Sequence, residues 1–166
     1  MTLYLQDRST GPNATVVPIT GIPGQLWSSS NFGTVLCSDN PITEGLDEHS
    51  AQIGRAPVIS DDPITESIDK NSAEIARGQG IYVTSSLDGA NTLVLLSIVF
   101  TNREYNGSTL EIQGRSIQLA SVREVSVISG TGKFRFARGY ATFETVYLDT
   151  SIGYSVIRCN VTALHY

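Results

Sequence analysis

Apolar and polar side chains alternate along most of this chain with a period of two residues, as in Leu3 and Leu5 or Val125 and Val127. Turn-forming residues separate the alternating stretches, and no long stretch repeats every 3.6 residues. The pattern therefore predicts an all-β protein of many short strands. The predicted strands are Leu3–Asp7, Ala14–Ile19, Phe32–Cys37, Gly80–Ser85, Thr92–Thr101, Ser108–Gln113, Ser121–Ser129, Lys133–Arg138, Ala141–Leu148 and Tyr154–His165.

One predicted strand, Thr92–Thr101, is apolar on both of its faces up to Phe100. Both sides of such a strand must be covered, because apolar surface is stabilised by removal from water. A barrel with a filled interior and a covered exterior meets this requirement. A sandwich strand at a subunit interface meets it equally well.

The segment from Val125 to Tyr140 holds two alternating stretches on either side of Gly130-Thr-Gly132. Period two places Phe134, Phe136 and Arg138 on one strand face. A charge on an apolar face is costly unless a partner meets it. The segment therefore indicates a barrel interior or an interface, with these three side chains as candidates for contact with a ligand.

The stretch Gly130-Thr-Gly-Lys-Phe-Arg-Phe-Ala-Arg-Gly-Tyr-Ala141 resembles the signature of plant dirigent proteins. Further blocks of the family agree in order, and together they cover nearly the whole chain: Asp7 with Thr10–Thr15, Asp62–Thr65, Gln79–Tyr82, Tyr105–Gly114 and Asn160–Tyr166. The resemblance implies a single domain over residues 1–166, folded as an eight-stranded antiparallel β-barrel. It also implies a homotrimer that controls the stereochemistry of plant phenolic chemistry.

Three residues are candidates for the site of that chemistry. Asp7 and Arg123 each share a strand face with apolar residues, where burial would shift the pKa of a carboxyl group and a guanidinium would need acceptors. On the residues alone, Asp7 is equally a strand-end turn residue, Arg123 a member of a structural ion pair, and Tyr82 a packing residue. By resemblance, the three match the pocket aspartate, arginine and tyrosine of the family, with Asp7 and Arg123 catalytic and Tyr82 in contact with the substrate.

Two departures from the family narrow the implied chemistry. Arg115 or Ser116 stands where lignan-forming members carry an aspartate, and Lys133 replaces a second one. The motifs are closer to the branch that includes pterocarpan synthases. The resemblance thus implies either cyclodehydration of an isoflavanol or directed coupling of monolignol radicals made by an external laccase or peroxidase, in both cases without a cofactor. A non-catalytic barrel that carries a phenolic ligand or binds glycans is the alternative.

The sequence lacks the residue patterns of several common catalytic and binding sites. His49 and His165 lie far apart, and the His and Cys residues do not have metal-ligand spacing. Gly130-Thr-Gly-Lys133 lacks the Ser or Thr of a phosphate-binding loop. We therefore predict no metal site and no hydrolytic triad.

Composition limits the partners. The chain has 166 residues, 40% hydrophobic and 16% charged, with a net charge of −5 and no basic cluster. Nucleic acid and anionic membranes are therefore unsuited as partners. The longest apolar run, Leu93 to Phe100, is too short to span a bilayer.

The cysteines and the glycosylation sequons give information about the cellular compartment of the protein. Cys37 and Cys159 do not make a disulfide framework, and we expect two buried free thiols. Sequons at Asn13, Asn106 and Asn160 are compatible with glycosylation in the secretory pathway. Secretion to the apoplast, with the leader absent from this sequence, is implied mainly by the family resemblance.

An internal duplication sets this chain apart from the family pattern. Residues 35–56 return as residues 57–78, and only the second copy continues into Gln79-Gly80. Two copies are too few for a repeat array. We expect the middle of the duplication to form a loop of roughly one repeat length, either a tolerated insertion or a rim of the pocket mouth.

Overall fold

Nine β-strands make up the regular structure of the computed structural model, which describes residues 1–21, 23–24, 28–43, 45 and 74–165. A single turn of 3₁₀-helix, Gly132–Phe134, joins the seventh and eighth strands. The strands are β1 Thr2–Arg8, β2 Val16–Thr20, β3 Val35–Thr43, β4 Glu74–Thr84, β5 Asn91–Phe100, β6 Thr109–Ile117, β7 Arg123–Gly130, β8 Arg138–Asp149 and β9 Tyr154–Leu164.

Eight of the strands close into an antiparallel barrel in the order β1-β9-β8-β7-β6-β5-β4-β3, and pairing of β1 with β3 completes the ring. One edge of β3 pairs with β4 over its whole length. Its other edge is shared, with β2 pairing at one end and β1 at the other. The predicted eight-stranded barrel is confirmed, and β2 adds a short ninth strand outside the ring.

Alternation along the strands fills the barrel. On β5 the inward side chains Val94, Leu96, Ile98 and Phe100 are buried, whereas their outward neighbours are half-buried. Each buried side chain of this size stabilises the fold by about 1.5–3 kcal/mol relative to exposure. The prediction that β5 is apolar on both faces and filled on the inner one is therefore confirmed.

The connection between β7 and β8 differs from the prediction. Of the predicted strand Lys133–Arg138, only Arg138 lies in a strand, because β7 ends at Gly130 and β8 begins at Arg138. The residues between them form the connection. Gly132 adopts a left-handed φ of 58°, and Phe136 one of 65°. The chain reverses sharply here, so the alternating apolar and polar residues of this segment do not point to opposite faces of a strand.

The duplication supplies two paired strands. β3 lies in the first copy and the first half of β4 in the second, and Asn40 stands opposite Gly78 in the pairing of β3 with β4. The strand from Gly80 thus begins earlier than predicted, at Glu74. The predicted loop and His49 fall on residues 46–73, which lie outside the described residues.

The two cysteines are free, as predicted. Cys159 points into the barrel and is buried, and burial raises the pKa of its thiol to about 12. Cys37 lies on the exposed outer face of β3, so the expectation that both thiols are buried is wrong for Cys37. Its neighbour Ser38 takes the inward position instead.

Candidate functional site

A cavity of about 310 Å³ opens at one end of the barrel. This is the lower end of the range, roughly 300–1,000 Å³, in which small-molecule sites fall. Most of the wall is apolar, with a few polar groups set into it. The apolar lining includes Leu5, Leu36, Val94, Phe143, Leu148 and Ile157, and the polar lining includes Asp7, Tyr82, Arg123, Thr145 and Ser155.

Asp7 projects into this cavity from β1, on the same face as the buried Leu3 and Leu5. Burial raises the pKa of its carboxyl group to about 6, although the Asn40 and Ser155 side chains offset part of the effect. Its buried Oδ1 has no hydrogen-bond partner among the described residues. A carboxyl group with this pKa exchanges protons readily near neutral pH, as general acid–base catalysis requires.

Tyr82 reaches the cavity from β4. Burial, and then the nearby Asp7 carboxylate, raise the pKa of its phenol, while Ser38 and Arg123 oppose the rise. The hydroxyl therefore stays protonated and can donate a hydrogen bond. Gly80 helps to place it, because a Cβ there would lie 2.1 Å from the Leu95 carbonyl oxygen and would push β4 away from β5.

Arg123 enters from the start of β7, and its Nη2 donates to Thr145 Oγ1 at 2.9 Å. Burial lowers the pKa of the guanidinium, while Tyr82 and Glu144 favour its charge. The ion pairs between described residues join Arg77 to Asp39 and Glu74, and Arg158 to Glu144, and none of them includes Arg123. Its buried Nε also lacks a partner in that part of the chain, so the cavity holds a cation with donors to spare.

The other three predicted contact residues do not line the cavity. Phe134 is 5% exposed and packs at the opposite end of the barrel, with ring centroids 5.1 Å from both Phe100 and Tyr105. Phe136 is 70% exposed in the connection, and Arg138 begins β8 at the exposed far end. The tight turn at Gly132 separates these side chains from each other and from Asp7.

Thr145 and Ser155 line the cavity and Asn40 lies beside Asp7, and none of the three was predicted. Thr145 binds Arg123, and Ser155 stands opposite Asp7 in the pairing of β1 with β9. Period two does place Thr145 on the face of Phe143, which lines the cavity. For Asn40 the sequence offers no comparable signal, because the pairing of β1 with β3 is what brings it beside Asp7.

The predicted glycosylation sites Asn13, Asn106 and Asn160 lie on the exposed surface. Within the described ranges, no cluster of His, Cys, Asp and Glu residues is placed to hold a metal ion. The same residues include no helix long and apolar enough to cross a bilayer.

Comparison with known proteins gives the geometry a context. The profile of the Dirigent-like protein family matches residues 1–57 and 56–164. Pterocarpan synthase 1 of Glycyrrhiza echinata is 31% identical, with 98% of this chain and 76% of that protein covered. Dirigent protein 1 of Arabidopsis thaliana is 43% identical, with 92% and 74% covered.

Solved structures agree with this result. A pterocarpan synthase dirigent protein superposes with a TM-score of 0.79 at 30% identity, covering all of this chain and 83% of the other. A second pterocarpan synthase dirigent protein gives 0.78 at 28% identity, covering 100% and 94%.

Proposed function

Because the chain belongs to the dirigent family, we propose that its cavity binds a phenolic substrate and fixes the face on which a new bond forms. One observation carries the proposal: three groups converge on one mostly apolar pocket. They are a carboxyl group with a pKa of about 6, a neutral phenol, and a guanidinium without an ion-pair partner among the described residues. The apolar wall suits an aromatic ring system, and the three polar groups suit its oxygen atoms.

The reaction that we propose is cyclodehydration of an isoflavanol to a pterocarpan. Asp7 in its protonated form donates a proton to the hydroxyl group that leaves, so the carbon–oxygen bond breaks and water departs with the electron pair. The phenol hydroxyl conjugated to that carbon releases its proton to water in the same step, so that the product is a neutral quinone methide. A second phenol oxygen of the same molecule then attacks the carbon and gives its proton to Asp7, while the first phenol oxygen regains a proton from water. The ring closes with net loss of one water.

Arg123 and Tyr82 take the other two tasks. The spare N–H groups of Arg123 stabilise the negative charge that develops on the phenolic oxygen. Tyr82 donates a hydrogen bond that orients the aromatic ring. The cavity also holds the attacking oxygen close to the reacting carbon of the same bound molecule.

Directed coupling of monolignol radicals is the second candidate. An external laccase or peroxidase would supply the radicals, and the barrel would set their relative orientation. Asp7 is the sole carboxyl group among the residues that line the described cavity. Ser116, one of the two residues that stand where lignan-forming relatives carry an aspartate, also lines it. This arrangement favours cyclodehydration over coupling.

One experiment separates the two candidates. The purified chain is incubated with a racemic isoflavanol alone, and separately with coniferyl alcohol plus a laccase, and both products are analysed by chiral chromatography. Ring closure with consumption of one enantiomer supports cyclodehydration. Enantiomeric excess only beside the laccase supports directed coupling, and racemic products in both would refute both and leave a carrier of phenolic ligands or glycans.

We also propose a homotrimer held by the outer face of β4 and β5. On this face Ile81 pairs with Leu95 and Val83 with Leu93, and all four side chains are half-buried. Contiguous apolar surface of this kind is typical of association interfaces. Native mass spectrometry measures the subunit number directly.

Secretion and glycosylation complete the proposal. The asparagines of the three sequons, Asn13, Asn106 and Asn160, are exposed and so can be reached by the glycosylation machinery. Expression behind a secretory leader in plant cells should give protein in the apoplastic fluid. Its mass should fall on treatment with an endoglycosidase.

A further inference from the structure

Asn40 is a buried amide next to the carboxyl group of the site. It is 1% exposed, and neither its Oδ1 nor its Nδ2 has a hydrogen-bond partner among the described residues. The pairing of β1 with β3 ends at Leu5 and Ile42. Asp7 lies two residues after Leu5 and Asn40 two residues before Ile42, so both side chains lie just beyond the paired part of the two strands. The Asn40 side chain acts on the Asp7 carboxyl group and lowers its pKa.

The internal repeat carries a different residue at this position. The first copy reads Ser38-Asp39-Asn40-Pro41, and the second reads Ser60-Asp61-Asp62-Pro63. The barrel takes β3 from the first copy, so an amide rather than a carboxyl group faces Asp7. The identity of this one residue thus decides whether the Asp7 carboxyl group has an amide or a second carboxyl group beside it.

We propose that Asn40 is a positioning residue, which places a neutral amide beside the Asp7 carboxyl group and leaves Asp7 without a second carboxyl group next to it. The inference rests on the proposed role of Asp7 as proton donor. An amide can donate to the ionised carboxylate and accept from the protonated acid, so it supports both states of a group that must exchange a proton.

The surroundings of Asp7 show why a second carboxyl group would change its behaviour. The ionisable groups near it are the Tyr82 phenol on β4 and the Arg123 guanidinium on β7, with the Cys159 thiol deeper on β9. Only Arg123 among them carries a charge at neutral pH, and its hydrogen bond goes to Thr145. Two adjacent carboxyl groups would then share one proton and titrate as a coupled pair.

The test is a carbon-13 NMR titration of the aspartate carboxyl groups in the purified protein, with the Asp7 signal assigned by its loss in Asp7→Asn. In Asn40→Asp, which installs the residue of the second copy, we expect two coupled steps. The upper midpoint should lie at least ~1 pH unit above the native Asp7 midpoint. In Asn40→Leu we expect a single step, also raised, because the amide that favours the ionised form is lost.

Asn160→Asp is the matched control, since it adds the same charge on the exposed outer face of β9. It should leave the Asp7 midpoint unchanged. If Asn40→Asp shifts the titration midpoint of Asp7 no further than Asn160→Asp does, the proposed contact between Asn40 and Asp7 is refuted. Should Asn40→Asp fail to fold, an unmoved midpoint in Asn40→Leu refutes it as well.

Enzyme assays distinguish this inference from the proposed function. Where the protein closes the ring of an isoflavanol, the pH above which product formation falls should rise in Asn40→Asp together with the NMR midpoint. A shifted midpoint in a protein that forms no product would overturn the proposed function and keep the inference. Product formation with an unchanged Asp7 midpoint would support the proposed function and overturn the inference about Asn40.

Discussion

Replacing Asp7 with asparagine should make the protein more stable and less active at neutral pH. Burial raises the pKa of Asp7 from 3.8 to about 6, so the folded state disfavours the ionised form. At about 1.4 kcal/mol per pKa unit, the difference corresponds to ~3 kcal/mol of destabilisation by the charged carboxylate. Asp7→Asn removes that charge and keeps the shape of the side chain.

The pH dependence gives the sign of the effect. Between pH 3.8 and 6 the folded state holds a proton on Asp7 that the unfolded chain has already lost. The free energy of unfolding therefore falls as the pH rises through this window. Native protein and Asp7→Asn should be about equally stable near pH 3, and the variant should gain up to ~3 kcal/mol by pH 7.

Urea unfolding followed by circular dichroism between pH 3 and 8 measures the difference, at one protein concentration because association affects stability. Asp39→Asn is the control, since Asp39 lies on the outer face of β3 and its ion pair with Arg77 lowers the pKa of its carboxyl group. That variant should lose less than ~1 kcal/mol at pH 7, because the pair is largely exposed.

Activity should move in the opposite direction to stability. Loss of a positioned general acid lowers the rate by roughly 10²–10⁴-fold, so Asp7→Asn should form product at least ~10² times more slowly. A variant with native stability at every pH would show that Asp7 is not a buried charge. A more stable variant with undiminished product formation would remove Asp7 from the reaction and leave the burial argument intact.

Three further predictions test other parts of the molecule. Arg123→Leu should abolish stereocontrol, which chiral chromatography measures. It should change the free energy of unfolding by less than ~1 kcal/mol in urea unfolding, because it leaves no ion-pair partner among the described residues without its counter-charge. Deleting residues 57–78 should preserve the fold and its oligomeric state, because Ala56 would take the place of Gly78, where an added Cβ would lie 3.4 Å from Leu5 Cδ2, an ordinary contact. The shorter loop should raise the free energy of unfolding by ~1 kcal/mol. Insoluble protein would contradict this prediction. Leu95→Glu should give monomers by native mass spectrometry. Ile128→Glu, at an exposed position of β7, should leave the trimer intact. Trimers from both variants would exclude the β4–β5 face.

Most of the barrel could be predicted from period two alone. Leu3, Leu5 and Asp7 alternate with outward residues, so the sequence placed Asp7 on the inner face before any pairing was known. The same rule placed Cys159 inside. It failed from Lys133 to Ala137, where a left-handed turn at Gly132 converts alternating residues into a connection. Period two describes extended chain only, and nothing in it shows where a strand stops.

The sequence by itself determined the fold class, the inward direction of Asp7 and Arg123, and the repeat that supplies β3 and β4. Only the tertiary structure decided that Asp7, Tyr82 and Arg123 share one cavity while Phe134 packs at the far end. It alone placed Asn40 rather than Asp62 in the paired β3 strand beside Asp7. The reason is physical: alternation is a local property of the backbone, whereas the pairing of distant strands depends on the closure of the whole barrel.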